Sequence, residues 1–205
     1  MNKLIVFLAL FASLSSCGQS TPNQKATVSK LDCDGPDTSE ECSFIYMPES
    51  VNSELNIPVE AGLTRMKITG SILKADGLRP YPGILMYIYH TDAAGEYSKE
   101  GNERGVQKWH GRHHGWLKTD KDGSYTINSI RPAQYPGNTI AAHIHAIVWE
   151  PGKKPYWIND FVFKDDPLVT ERYRTNQSYP GGDGVIDLKI VNGRWEGRRN
   201  IVVPK

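Results

Sequence analysis

The chain has 205 residues, with 24 lysines and arginines against 23 aspartates and glutamates, and a formal net charge of +1. This balance gives no strong field that would favour an anionic membrane surface or a nucleic acid, so we expect no nucleic-acid partner. Hydrophobic residues make up 39% of the chain, which is typical of a folded protein and excludes general disorder.

The N-terminus has the pattern of an export signal. Lys3 precedes an apolar run over residues 4–12 that is too short to span a membrane, so residues 1–16 are predicted to be a signal peptide. Small residues before Cys17 resemble a bacterial lipobox, in which that cysteine becomes the lipidated N-terminus. The sequence therefore predicts an exported lipoprotein anchored in the bacterial cell envelope, with a secreted soluble protein as the alternative.

A polar segment separates this signal from the rest of the chain. Residues 17–31 are predicted to form the lipidated cysteine and a flexible tether, and residues 32–205 a single domain. Cys33 and Cys42 would lie in an oxidising compartment, so a disulfide between them is expected. A metal site built on these two cysteines is the alternative, although their spacing does not match a zinc knuckle.

Short runs of β-branched and aromatic residues alternate with Gly, Pro, Asn and Asp along this domain. The runs predict strands at residues 66–73, 84–90, 124–128, 140–149, 157–163, 185–191 and 201–203. No long stretch has a helical period, so the sequence predicts an all-β sandwich. Asp165-Asp166-Pro167 is interpreted as a solvated turn.

The predicted strand 140–149 carries two histidines. Ile140, Ala142, Ile144, Ala146 and Val148 alternate along it and should face the core. His143 and His145 then share the opposite face, with Cα atoms about 6.5 Å apart, from which two imidazoles can converge on one metal. Hydrogen bonding of both rings on a solvated sheet face is the alternative.

Further motifs occur in a fixed order around this strand. They are Gly95-Glu96-Tyr97-Ser98, then residues 119–125 (Thr-Asp-Lys-Asp-Gly-Ser-Tyr), then residues 130–136 with Tyr135, and then His143-Ile144-His145. The pattern resembles the intradiol ring-cleavage dioxygenases, the family that includes catechol and protocatechuate 3,4-dioxygenases. The resemblance covers residues 66–163.

This resemblance implies a transthyretin-like (prealbumin-like) β-sandwich that holds a non-haem Fe³⁺ and cleaves a catechol-type ring with O₂. The implied ligands are Tyr97 (equatorial), Tyr135 (axial), His143 (axial) and His145 (equatorial). Phenolates are hard anionic donors and imidazole suits iron, so the ligand types agree with a ferric ion. A homo-oligomer is possible, and the natural substrate is not determined by the sequence.

One position departs from the family pattern. Members usually read Arg-Pro-Ala-His-x-His, whereas Ile140 stands here in place of the arginine. Arg112 or Arg131 could substitute from neighbouring loops. The missing arginine also favours a family member with altered chemistry on a bulky or quinol-like substrate.

Two other interpretations stay open. The chain could be a non-enzymatic, anchored binding module for carbohydrate or protein, in which tryptophans form a sugar platform. The tryptophans considered for it are Trp109, Trp116, Trp157 and Trp195. Separately, His110, His113 and His114 lie in one glycine-containing segment, which could be the rim of the substrate pocket, a second site for zinc or copper, or an ordinary loop.

Overall fold

A computed structural model describes residues 33–35, 38–137 and 139–205. The predicted signal peptide over residues 1–16, Cys17 and the tether over residues 17–31 lie outside the described residues. Within the described part, no helix has both the length and the apolar character needed to cross a membrane.

The described residues form eleven strands in two sheets. They are β1 (Glu54–Asn56), β2 (Arg65–Leu73), β3 (Leu85–His90), β4 (His114–Lys118), β5 (Ser124–Ile130), β6 (His143–Trp149), β7 (Tyr156–Phe163), β8 (Val185–Ile186), β9 (Lys189–Val191), β10 (Arg194–Arg198) and β11 (Ile201–Val202). Helical structure in these residues is limited to a 3₁₀ turn (Glu40–Phe44), α1 (Gln107–His110) and α2 (Glu171–Thr175). The all-β prediction is confirmed.

The two sheets pack face to face around one apolar core. One sheet has the order β1-β5-β2-β10-β9, with β11 also paired to β2, and the other has the order β4-β3-β6-β7-β8. Ile68 and Ile127 from the first sheet are fully buried in the same cluster as Ile88, Ile144 and Phe161 from the second. Burial of both inner faces is what makes the fold a β-sandwich.

The strand that carries the two histidines is shorter than predicted. Ala142, Ile144, Ala146 and Val148 lie in the core as expected. Ile140, however, is 50% exposed and precedes β6, so its assignment to the core is wrong.

The Asp166 side chain explains why β6 begins at His143 and not at Ile140. The backbone N–H of Ala142 donates to the Asp166 carboxylate instead of a strand partner, and pairing with β7 begins at His143 opposite Val162.

Other strand boundaries also differ from the prediction. The predicted strand 185–191 is divided into β8 and β9, which belong to different sheets. Three strands, β1, β4 and β10, have no counterpart in the prediction. Strand β10 was not predicted because its sequence, Arg-Trp-Glu-Gly-Arg, is short and largely polar. Strand β4 was not predicted because it begins inside the histidine-rich segment.

The expected disulfide is present. Cys33 and Cys42 are bonded, with their Cα atoms 5.3 Å apart, and both side chains are buried against Val106. On the chain-entropy model, closing so short a loop contributes roughly 2 to 3 kcal/mol to stability. The bond fixes the start of the described chain against the segment that leads to α1.

Candidate metal centre

Four side chains from three separate segments meet at one end of β6. The Tyr97 and Tyr135 hydroxyl oxygens are 2.5 Å apart, and the Tyr135 oxygen is 3.2 Å from His143 Nε2 and 3.4 Å from His145 Nε2. The two Nε2 atoms are 3.0 Å apart. We call Tyr97, Tyr135, His143 and His145 the four-donor cluster; the sequence predicted these residues as metal ligands, and the fold brings all of them together.

The other ring nitrogens of the two histidines decide what this cluster can bind. His143 Nδ1 donates to the carbonyl oxygen of Ala141 at 2.7 Å, and His145 Nδ1 donates to a carboxylate oxygen of Asp160 at 2.9 Å. Because both of these oxygens can only accept, each neutral ring carries its proton on Nδ1. Both Nε2 atoms therefore present a lone pair to the centre of the cluster.

Two lone pairs that face each other repel unless a hydrogen-bond donor, such as the Tyr135 hydroxyl, or a cation lies beside them. The donor separations match the edges of a coordination shell with bonds of about 2 Å, which are roughly 3 Å long. Two phenol oxygens and two imidazole nitrogens form a hard, mixed O and N set, which suits Fe³⁺ better than a metal that prefers thiolates. The residues present therefore fit the ion that the sequence predicted.

Burial prepares the cluster for a cation. It lowers the pKa of His143, with a further contribution from His145, so that the ring is held neutral as a ligand needs to be. Burial also raises the pKa of Tyr135 and of Tyr97, and the Asp160 charge is among the lesser causes. Without a metal both phenols stay protonated, whereas a bound trivalent cation reverses this preference because it stabilises the phenolate.

A close contact between two loops sets the separation of the two tyrosines. Gly95 lies two residues before Tyr97, and a Cβ atom built on it would be 1.9 Å from the carbonyl oxygen of Gln134, the residue before Tyr135. Gly95 also has a φ of +83°, which disfavours other residues. Glycine is thus required at this position for the two loops to approach each other.

A buried carboxylate joins the segments that deliver Tyr135 and His143. Asp166 accepts hydrogen bonds from the Gln134 side chain and from the backbone N–H groups of Ala142 and Leu168. Burial alone would raise the pKa of Asp166, but these hydrogen bonds hold it below its usual value. Asp166 is only 6% exposed, so its interpretation as part of a solvated turn is wrong, while Asp165 is exposed as expected.

An aromatic layer supports the cluster from the neighbouring strand. Tyr89 on β3 pairs with His145 on β6, and the two rings stack with centroids 4.6 Å apart. His110 stacks on the Tyr89 ring at 3.6 Å with an interplanar angle of 9°. Trp157 on β7 lies at the edge of both Tyr89 and His145.

The three histidines of the glycine-containing segment separate in the fold; we call His110, His113 and His114 the loop histidines. His113 is buried and stacks on His90, while His114 Nδ1 donates to the carbonyl oxygen of Gly111. Among the described residues, the group found able to hold a metal is His143, His145 and Asp160, which includes none of the loop histidines. The structure therefore gives no support to the zinc or copper site and assigns His110 to the surroundings of the cluster.

Both arginines considered as replacements are bound to carboxylates elsewhere. Arg131 forms a bidentate pair with Asp165, with both N···O distances at 2.8 Å. Arg112 pairs with Glu60 and donates to the Ser98 hydroxyl. In the hydrogen bonds and ion pairs of the described chain, neither guanidinium contacts the four-donor cluster, so the expectation that one of them replaces the arginine has no structural support.

The tryptophans considered for a sugar platform do not form one. Trp109 is 48% exposed, whereas Trp116, Trp157 and Trp195 are partly buried. Trp116 also donates its indole N–H to the carbonyl oxygen of Ser43, and Trp195 lies on the other sheet, where Arg131 contacts it.

Comparisons with known proteins agree with this geometry. The family model described as Dioxygenase matches residues 49–192. The chain is similar to the dioxygenase domain of a dioxygenase carbohydrate-binding protein fusion from the cellulolytic bacterium Streptomyces sp. SirexAA-E, with 19% identity, a TM-score of 0.55, and coverage of 83% of this chain and 99% of that one. No curated protein sequence matches it.

Two further solved structures have the same fold. The 3-chlorocatechol 1,2-dioxygenase from Rhodococcus opacus 1CP is 18% identical, with a TM-score of 0.56 and coverage of 78% of this chain and 69% of that one. An intradiol ring-cleavage dioxygenase from Tetranychus urticae is 16% identical, with a TM-score of 0.54 and coverage of 83% and 91%. At these identities the likeness establishes the fold, the β-sandwich of intradiol dioxygenases.

Proposed function

The chain belongs to the Dioxygenase family, and from this premise we propose that it is a non-haem Fe³⁺ intradiol dioxygenase that cleaves the ring of a catechol-type aromatic with O₂. The observation that carries the proposal is the convergence of the Tyr97 oxygen and of both imidazole Nε2 atoms on the Tyr135 oxygen, at distances of 2.5 to 3.4 Å. This hard, mixed set of oxygen and nitrogen donors suits a ferric ion.

Tyr97, Tyr135, His143 and His145 would hold the ion. Bound Fe³⁺ would act as a Lewis acid that stabilises the substrate as a catechol dianion and makes its ring reactive toward O₂. The protein's part is to keep both imidazoles oriented and to receive protons from the substrate. Since each histidine is fixed through Nδ1, neither ring needs to reorganise when the substrate arrives.

Tyr135 is the proposed acceptor of one catechol proton. Its hydroxyl oxygen contacts Tyr97, His143 and His145, so it occupies the shared centre of the cluster. As a phenolate it would take up a proton at this oxygen and leave the site to the substrate. The second substrate proton would go to a hydroxide ion from the solvent, which becomes water. Two anions then gain the two protons that the substrate loses, so the total charge is unchanged.

We propose that this chemistry takes place outside the cytoplasm. The proposal rests on the export signal over residues 1–16, the lipobox that ends at Cys17, and the Cys33–Cys42 disulfide, which is typical of an oxidising compartment. The lipid on Cys17 would anchor the protein to the cell envelope.

A visible absorption spectrum tests the proposed activity directly. The purified protein is loaded with iron, the iron is quantified on the same sample, and the spectrum is recorded before and after anaerobic addition of catechol. We expect a wine-red colour from tyrosinate-to-iron charge transfer that shifts when catechol binds, followed by formation of a ring-opened diacid when O₂ is admitted. A protein that stays colourless after iron loading would refute the proposal.

A further inference from the structure

We infer that Asp160 is a positioning residue for the metal centre: its carboxylate fixes the orientation and the tautomer of His145, and its negative charge makes His145 Nε2 a stronger donor than His143 Nε2. This inference rests on the proposed function, because it assigns a part of the same site. It also differs from the simplest interpretation of the cluster, in which Asp160 would be a third ligand beside His143 and His145.

An irregularity in β7 brings Asp160 to this place. Ile144 pairs with Phe161 and Ala146 pairs with Ile158, so one residue on β6, His145, lies opposite two residues on β7. Ile158 and Phe161 are both buried in the core, and the bulge between them allows the extra residue to point elsewhere. Asp160 lies directly opposite His145 as a result.

The other residue of the bulge is held by a neighbouring turn. The Asn159 side chain donates to the carbonyl oxygens of Tyr179 and Gly182, at 2.5 Å and 2.7 Å, and accepts from the backbone N–H of Tyr179. Asn159 is thus held by the turn over residues 179–182, while the Asp160 carboxylate contacts His145.

Asp160 acts through the far side of the imidazole ring. Its Oδ1 atom accepts a hydrogen bond from His145 Nδ1 at 2.9 Å, whereas His145 Nε2 faces His143 and Tyr135. A residue that binds Nδ1 orients the ring for a metal at Nε2, as carboxylates commonly do for metal-bound histidines. Asp160 is therefore placed behind a ligand and is not itself a ligand.

The two strand histidines, His143 and His145, consequently differ in donor strength. His143 Nδ1 donates to a neutral carbonyl, that of Ala141, while His145 Nδ1 donates to an anion. A hydrogen bond to an anion transfers more electron density to the ring, so Nε2 of His145 becomes the stronger electron donor of the two. The bulge thus makes chemically unequal ligands from two residues with the same side chain.

The tautomer can be measured on the metal-free protein. We expect the imidazole ¹⁵N NMR spectrum to show His145 protonated on Nδ1 and unprotonated on Nε2, and we expect the Asp160→Ala variant to show a mixture of tautomers. Asp187→Ala, which removes an exposed carboxylate paired with Lys164, should leave the His145 signals unchanged. A wild-type His145 protonated on Nε2 would overturn the inference, whether or not the protein binds iron.

The effect on the metal is measured with Asp160→Asn, which removes the charge but nearly keeps the shape. We expect a 10- to 100-fold loss of iron affinity, the size usual for such partners of a ligand, with the tyrosinate band at longer wavelength because a weaker donor leaves the ion more electron-poor. Asp187→Asn is the control and should match the wild type in both.

Two results would contradict the role assigned to Asp160. An Asp160→Asn variant with unchanged affinity and unchanged colour would show that the charge does not reach the metal. A correctly folded variant, judged by circular dichroism, that binds no iron at all would show that Asp160 is a ligand. If the wild type itself binds no iron, the proposed function fails, and the NMR result still decides the tautomer.

Discussion

The chain contains two histidine-rich regions that reach opposite outcomes. The strand histidines, His143 and His145, are two residues apart on β6 and their Nε2 atoms lie 3.0 Å apart. The loop histidines, His110, His113 and His114, lie within five residues of sequence but contact three different partners. In this chain, the histidines that crowd one loop segment do not converge, whereas the two at strand spacing do.

The two regions are nevertheless connected. His110 stacks on Tyr89, and Tyr89 stacks on His145, so one loop histidine supports the strand site from behind an aromatic ring. Burial lowers the pKa of His110 to about 3, which keeps this ring neutral in the stack. The proposed difference between the regions is one of role, metal ligand against support, and it can be tested by changing one histidine of each region in the same way.

Removal of one ring from each region should give the largest contrast. We expect His143→Ala to lower the affinity for iron by at least about 100-fold, since it deletes one of the four proposed ligands. The tyrosinate colour should be lost together with the iron. His113→Ala should retain iron in the folded fraction, because His113 contacts His90 and Glu60 and not the cluster. Iron per folded protein and the visible spectrum measure both effects; equal iron loss in the two variants would refute the contrast.

Tyr97 and Tyr135 extend the comparison of the two regions, because they come from loops and yet lie in the four-donor cluster. If Tyr135 is the ligand that leaves when substrate binds, Tyr135→Phe should change the colour and slow turnover by more than it lowers iron content. The remaining donors, Tyr97, His143 and His145, would still hold the ion. Iron content, spectrum and kcat are measured on the same preparation, and complete loss of iron with no residual colour would count against this role.

Acid should lower the stability of the folded protein through His90, which is stacked on His113. Burial lowers the pKa of His90 to about 3, against about 6.5 in an unfolded chain. Between these values the unfolded state binds a proton that the folded state excludes. The free energy of unfolding should therefore fall as the pH falls from about 6.5 to about 3, by up to about 1.4 kcal/mol per pH unit for this group.

Urea unfolding of the metal-free protein at several pH values measures this slope, and absence of metal ensures that ligand release does not contribute. In the His90→Asn variant, the free energy of unfolding should fall less steeply with falling pH, because the contribution of this one histidine is removed. An identical slope in the variant and the wild type would show that His90 does not titrate between the folded and unfolded states.

The smallest predicted difference is in the unfolding free energies of variants at two adjacent carboxylates, Asp165 and Asp166. Asp166 is buried and accepts several hydrogen bonds, so Asp166→Asn should cost about 1 to 3 kcal/mol of unfolding free energy and weaken iron binding by loosening the segments before Tyr135 and His143. Asp165→Asn breaks an exposed pair with Arg131 and should cost less than about 1 kcal/mol. Denaturant unfolding of both variants makes the comparison, and equal costs would contradict it.

Residues whose roles depend on local spacing could be predicted from the sequence. The two-residue period of a strand places His143 and His145 on one face and Ala142, Ile144, Ala146 and Val148 on the other, and the structure has them so. The order of the motifs, through its resemblance to the intradiol dioxygenases, singled out Tyr97 and Tyr135 from ten tyrosines, and the structure brings both into the cluster. The all-β fold followed from short runs of strand-forming residues between turns.

Residues whose roles depend on distant contacts were decided by the tertiary structure alone. Asp160 acquires its partner through a bulge that no pattern in the sequence marks, and Asp166 is buried only because the loops that precede Tyr135 and His143 fold over it. Ile140 lies outside the strand for the same reason, since Asp166 takes the hydrogen bond of Ala142. Periodicity is a property of neighbours in the chain, whereas a hydrogen bond across 15 to 32 residues depends on how the whole sandwich closes.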